Sequence, residues 1–342
     1  MKTQLKQIAF TLLILFAFSC SNDNDNGPTP VITDVYIAGS EYNGLKMVAK
    51  YWKNGEETLL TDGTNDAQAI SIYVSGNDVY VAGFEIIGPN SVAKYWKNGV
   101  ETNLTSSANH ASANSIFVSG NDVYVAGYVT PLIGDPEAVI WKNGNTSSLP
   151  QNSPPSNVNS IFVSGSDVYA AGIVTSNGNE QSKLWINNTG SLTNGTSIGT
   201  ASSVFISEND VFVASTEFNG TVDVATIWKN YVKTPLSTGN DNTYANSVYV
   251  SQGDTYVVGT EYSGSFKAKI WKNGIESSLT AATDFTVAKS VFVIEDDVYV
   301  AGFKINTSTS NEVATLWING IETPLADEAQ PSFANSIFVT RN

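Results

Sequence analysis

Apolar and polar residues alternate along this chain in short runs, with no long amphipathic stretch. The run Ser115-Ile116-Phe117-Val118 is followed by Ser119-Gly120-Asn121-Asp122 and then by Val123-Tyr124-Val125-Ala126-Gly127. Short β-branched and aromatic runs bounded by Gly, Asn, Asp and Ser predict strands joined by a tight hairpin. A variable loop follows, then a third strand ending in Trp-Lys-Asn-Gly and a short fourth containing leucine. The whole unit recurs. Its Val-Tyr-Val-Ala-Gly segment, or a close variant, begins at Val35, Val79, Val123, Val168, Val211, Thr255 and Val298, in steps of 43 to 45 residues. Four strands at this period predict propeller blades, so the chain reads as an all-β, seven-bladed β-propeller of four-stranded antiparallel blades.

The turns agree with that reading. Asn54-Gly55, Asn98-Gly99, Asn143-Gly144, Asn273-Gly274 and Asn319-Gly320 follow the third strand, where a two-residue hairpin needs positive φ. Asn187-Asn188 and Asn230-Tyr231 break the rule. Pro235 and Pro324 just precede the fourth-strand leucine, which suits an edge strand, because proline cannot donate to a ladder. The first repeat starts at its second strand, and the chain finishes with Ser336-Ile337-Phe338-Val339, an innermost strand with no successor. The C-terminal strand is therefore expected to complete the N-terminal blade and close the ring, leaving no open sheet edge. Residues 31–342 form one domain on this reading.

Each repeat has one tryptophan: Trp52, Trp96, Trp141, Trp185, Trp228, Trp271 and Trp317. Three residues earlier stands alanine or, once, Ser182. Strand alternation puts the tryptophan on the opposite face from that small residue, so seven equivalent indoles are expected to fill seven gaps between blades. The repeated Asp34, Asp78, Asp122, Asp167, Asp210, Asp254 and Asp297 end the first turn, where they suit local backbone capping rather than a metal. The serines that begin the inner strands, from Ser71 to Ser336, read as structural.

Function is then to be sought where the repeats differ. Almost all length variation lies between the second strand and the tryptophan, on the same end as the outer-to-inner connections. That end carries Glu41, Glu85, Glu217 and Glu261 at one repeated position, with Tyr42, Tyr128, Phe218 and Tyr262 close by. Carboxylates beside aromatic rings suit a sugar or a cationic peptide, and these eight are the candidate ligand-binding residues.

The N-terminus changes the picture of where this happens. Residues 1–19 carry Lys2 and Lys6 and an apolar stretch from Ile8 to Phe18, which reads as an export signal too short to span a bilayer. Cys20, the single cysteine, follows directly and resembles the lipidated cysteine of a bacterial lipoprotein. Residues 20–30 are polar and read as a flexible tether. The same stretch resembles the acidic segment that directs some lipoproteins of Bacteroidetes-type bacteria to the outer face of the outer membrane; its composition reads equally well as a plain linker. The formal charge of −15 becomes −17 once Lys2 and Lys6 leave with the signal, and a surface that acidic argues against nucleic acid.

Catalytic chemistry finds little inventory. His110 is the sole histidine and reads as a solvated side chain; no two-histidine metal site can be built, and no nucleophile motif surrounds any serine. No catalytic residue, metal or cofactor is expected. The motif Ala-Lys-Tyr-Trp-Lys-Asn-Gly, with Leu104-Thr105 and Ala113-Asn114-Ser115-Ile116-Phe117-Val118 after it, resembles the HAF-type extracellular repeats over Val35 to Val339. The repeats lack that family's histidine and phenylalanine beside the alanine. The resemblance implies the fold and export. The expectation is a non-catalytic binding or scaffolding module, lipid-anchored in the outer membrane, that takes a glycan or envelope protein at its variable-loop end. Its alternatives are a carboxylate-dependent glycan hydrolase or lyase and a structural subunit of an envelope complex.

Overall fold

The computed structural model describes residues 32–150, 155–190, 198–280 and 285–341. The expected signal, Cys20, the tether and the fourth-strand Leu192 lie outside the described residues. Seven antiparallel sheets of four strands stand side by side in a ring, six of them ordered from inner to outer strand along the chain. In blade 1 the inner strand is Ser332–Arg341, and it pairs with Thr33–Tyr42, as the complementary chain ends predicted. The inner strands of blades 2 to 7 are Ala67–Ser75, His110–Ser119, Ser156–Ser164, Gly199–Ser207, Asn242–Ser251 and Thr286–Ile294.

Six tryptophans are almost completely buried and Trp228 nearly so. Each packs against the preceding blade: Trp96 meets Tyr36, Ala49 and Leu60 of blade 1, and Trp52 closes the ring against Tyr299, Ala301 and Leu316 of blade 7. Removing one such side chain costs about 3–5 kcal/mol in a packed core. The alanine of each repeat, or Ser182 in blade 4, is what leaves room for the next blade's indole.

The repeated serines join the blades a second way. Every inner strand carries a bulge just before its serine, and the serine Oγ accepts a backbone N–H from the next inner strand. Ile116 N donates to Ser71 Oγ at 3.1 Å, Ile161 N to Ser115 Oγ at 3.0 Å, and so on around the ring until Ile72 N donates to Ser336 Oγ at 3.2 Å. The bulge also explains the repeated glycine. A Cβ at Gly83 would lie 1.9 Å from the Gln68 carbonyl oxygen.

The turn end is built alike in every blade, and its aspartates do something other than capping their own backbone. Asp78 accepts Asn98 Nδ2 at 2.7 Å and Lys97 Nζ at 2.7 Å, while Asn98 Oδ1 accepts Val79 N at 2.8 Å. The Asp–Asn pair recurs in all seven blades, and the lysine wherever the third strand ends in Trp-Lys. Asn-Gly therefore serves twice: positive φ for the turn (Asn98 φ 50°, Gly99 φ 80°) and a side chain that ties two hairpins. Asn187-Asn188 and Asn230-Tyr231 keep the same turn, with Tyr231 forced to φ 68°.

Candidate functional site

A feature the sequence displayed but did not announce sits at the centre of the ring. The aromatic residue of each Ser-Ile-Phe-Val run points to the axis, so that Tyr73, Phe117, Phe162, Phe205, Tyr249, Phe292 and Phe338 form a closed circle of tilted rings with neighbouring centroids 4.6 to 5.1 Å apart. These separations lie within the favoured range of aromatic contacts, and a heptagon with such sides has a radius of about 5.5 Å. Burial pushes the Tyr249 phenol up to about 12, with the charge of Tyr73 adding to the effect from the far side of the circle. The axial channel is thus narrowed to an iris near the turn end. From the variable-loop end it is a cup.

The cup's wall comes from two rows of inner-strand residues. Bulge residues Asn114, Asn159, Asn246 and Asn335 each donate Nδ2 to a backbone carbonyl of the adjoining blade at 2.7 to 2.9 Å. Asn157 links two of them, accepting from Asn114 at 2.9 Å and donating to Asn159 at 3.1 Å. Lys289 holds the equivalent position in blade 7 and Ile70 in blade 2. Three cavities open around the mouth. One of about 430 Å³ lies between blades 3 and 4 beside His110, Tyr128 and Ile173. The next, about 400 Å³, shares Glu180 with it and is lined by Thr200, Ser202 and Tyr244. The third, about 380 Å³, shares Tyr244 and Asn246 and reaches Lys289 and Phe303. Together they make a crescent across blades 3 to 7.

The eight candidate residues are not brought into one patch; they sit on blades 1, 2, 3, 5 and 6. Their carboxylates are largely engaged by lysines. Lys50 bonds Glu41 at 2.7 Å and Glu57 at 2.5 Å; Lys94 bonds Glu85 and, at 2.8 Å, Glu101; Lys269 lies 3.0 Å from Glu261 and 2.7 Å from Glu276. Burial works against the Lys94 charge, but hydrogen bonds to Glu101 and Glu85 outweigh it and hold its pKa above the ordinary 10.5. Glu217 is 1 % exposed, accepting Ser182 Oγ at 2.8 Å and Ser215 Oγ at 3.1 Å, with Lys233 Nζ 3.5 Å away. Here Ser182 replaces the usual alanine and Ser215 the usual glycine, so one buried polar cluster accounts for two departures from the repeat. Tyr128 lines the first mouth cavity. Tyr42 is half-buried, Phe218 is exposed, and Tyr262 lies tilted against Phe266 with centroids 4.9 Å apart.

The ion pairs explain why glutamate recurs at that position. Blade 3, which has Val129 there, has Val139 in place of the lysine and Thr146 in place of the outer glutamate; blade 7 inverts the pattern, Lys304 pairing with Glu322 at 3.2 Å. In these blades the residues change together because their side chains touch, while blade 4 keeps Lys183 beside Val174 with no glutamate at either position. Reading the repeats position by position conceals this, and comparing the three positions together within each repeat would have found it. His110 is exposed, as expected, yet its Nδ1 lies 3.1 Å from Ser91 Oγ of blade 2, and that hydroxyl also reaches Ala111 O at 2.9 Å. No carboxylate orients this pair, and no group of three metal-ligating side chains is found, among the described residues.

The fold and the cup define a seven-bladed β-propeller closed through its inner C-terminal strand, with one end open. The chain matches no family model and no curated protein sequence. Among solved structures it is similar to a puromycin-hydrolyzing peptidase of Mycobacterium tuberculosis, with TM-score 0.55 and 9% identity over 86% of this chain and 51% of that one. An acylaminoacyl peptidase of Pyrococcus horikoshii gives TM-score 0.53 and 12% identity over 88% and 52%. The β-propeller domain of the Trilobed protease from Pyrococcus furiosus gives 0.52 and 11% over 87% and 96%. That domain has an open velcro topology, whereas Ser332–Arg341 closes the ring here. The chain spans about half the length of the first two peptidases. At these identities the likeness is one of fold.

Proposed function

We propose that this protein is a non-catalytic binding module, held at the outer membrane by lipid on Cys20, that takes a glycan or envelope-protein partner at the mouth of its cup. The carrying observation is the asymmetry of the two ends. One end repeats the same Asp–Asn pair in every blade, joined by lysine in five, beneath the aromatic iris; the other opens into three adjoining cavities whose linings differ from blade to blade. The chain's entry point supports the reading. Thr33, the first residue of the second strand in blade 1, pairs with Arg341 at the iris end. A tether from Cys20 would join the propeller at that end, opposite the cup, and leave the cup free for a partner. The HAF-type motif resemblance is consistent with export and adds no ligand.

A glycan array and surface pulldown with residues 31–342 test this, using Tyr128→Ala and Asn157→Ala at the mouth and Asp78→Asn and Asp122→Asn at the opposite end. Mouth variants are expected to lose binding at least tenfold and the turn-end variants to keep it. Equal effects from the two ends would overturn the assignment.

A further inference from the structure

Lysines in this acidic chain are held by carboxylates. Apart from Lys183 and Lys289, each described lysine has one within 3.7 Å. Lys183 lies on a third strand, at the position where Lys50, Lys94 and Lys269 make their ion pairs. Lys289 is different: it occupies an inner-strand bulge where four other blades place asparagine, and it lines the cavity between blades 6 and 7. Among the described residues it makes neither hydrogen bond nor ion pair, and its Nζ lies over the face of Phe303, 5.9 Å from the ring centroid. Burial pushes its pKa below 10.5, so the site is dry enough to disfavour a bare ammonium. A second group in the lining is also unsatisfied: the Thr260 hydroxyl is buried without a partner. The rest of the wall is mainly apolar, from Phe266, Val287, Phe303 and Ile305, with Tyr244, Asn246 and Glu312 completing it.

An unpaired cation in an apolar pocket of about 380 Å³ lacks an anion that brings its own apolar surface. We propose that this cavity binds a monocarboxylate carried on an apolar group, with Lys289 holding the carboxylate and Phe266, Val287, Phe303 and Ile305 packing the apolar part. Glu312 repels a second negative charge, which favours a monoanion. The inference rests on the reading of the mouth as a ligand face and names the chemistry of one part of it. The same chemistry is offered by a free aryl-alkyl acid and by the C-terminus of a peptide ending in an apolar residue.

The test is calorimetric titration of residues 31–342 with 3-phenylpropanoate, N-acetylphenylalanine and the amide of each. Both carboxylates should bind, and the neutral amides at least tenfold more weakly, since a charge-assisted hydrogen bond is lost. Tighter binding of N-acetylphenylalanine marks a peptide C-terminus; tighter binding of 3-phenylpropanoate marks a free acid. Lys289→Met, which keeps the side-chain length, should abolish the difference between acid and amide. Equal binding of acid and amide to the unmodified protein, or no binding at millimolar concentration, would overturn the proposal without any variant. If Lys289→Met still captures the partner found by array or pulldown, while the unmodified protein shows no preference for the acids, this inference fails and the broader reading stands. If the acids bind and no mouth variant alters partner capture, the broader reading fails instead.

Discussion

Replacing Lys94 tests whether the repeated glutamates belong to the architecture. Lys94 is 3 % exposed by side chain and is held between Glu85, 10 % exposed, and the more exposed Glu101. Lys94→Met preserves the stem but leaves the Glu85 carboxylate in a nearly dry site, bonded among the described residues to Asn65 Nδ2 alone, at 3.0 Å. Breaking a buried pair from one side costs about 3–5 kcal/mol, whereas replacing the whole set by apolar residues is often neutral or stabilising. The protein already contains the apolar version in blade 3. Glu85→Val/Lys94→Val/Glu101→Thr copies Val129, Val139 and Thr146 into blade 2 and is expected to lie within about 1 kcal/mol of the parent. Urea unfolding followed by tryptophan fluorescence and by far-ultraviolet circular dichroism reads both, and coincident curves license the comparison. A Lys94→Met cost below about 1 kcal/mol, or a triple variant as unstable as the single one, would refute the argument that desolvation sets these positions.

Two further outcomes follow from the turn end. Tyr231→Gly should raise stability by about 1 kcal/mol, since a bulky residue at φ 68° is strained in a turn where five blades use glycine; an unchanged or lower urea midpoint would contradict this. Acid should weaken the fold through the turn-end carboxylates. Hydrogen bonds from Lys97 and Asn98 hold the Asp78 pKa below its usual 3.8, and Lys142 with Asn143, Lys229 with Asn230 and Lys272 with Asn273 do the same for Asp122, Asp210 and Asp254. A pKa depressed on folding contributes stability above the unfolded value and loses it as pH falls through the folded one. Thermal midpoints should therefore drop below pH 3.8, and combined Asp→Asn substitutions at these four sites should flatten that drop; an equally steep profile in the variant would count against it.

The sequence by itself determined the ring. A 43 to 45 residue period, one indole per period opposite a small residue, paired turn chemistry and complementary chain ends leave one compatible arrangement, because each signal is local or repeats at a fixed interval. The site was legible only to the level of an end. Glutamates beside aromatics look the same in a string of letters whether they face a ligand or a lysine nine residues on, and it is the pairing Glu85↔Val92 and Trp96↔Glu101 that brings Lys94 between two carboxylates. The aromatic iris was likewise in view as the Phe or Tyr of every inner strand, yet it needs seven inner strands at one height around an axis to become a floor. Lys289 was one lysine among many in the sequence. Only the closed ring, by placing that bulge with no described carboxylate within ion-pair distance, distinguishes it from the lysines that are paired.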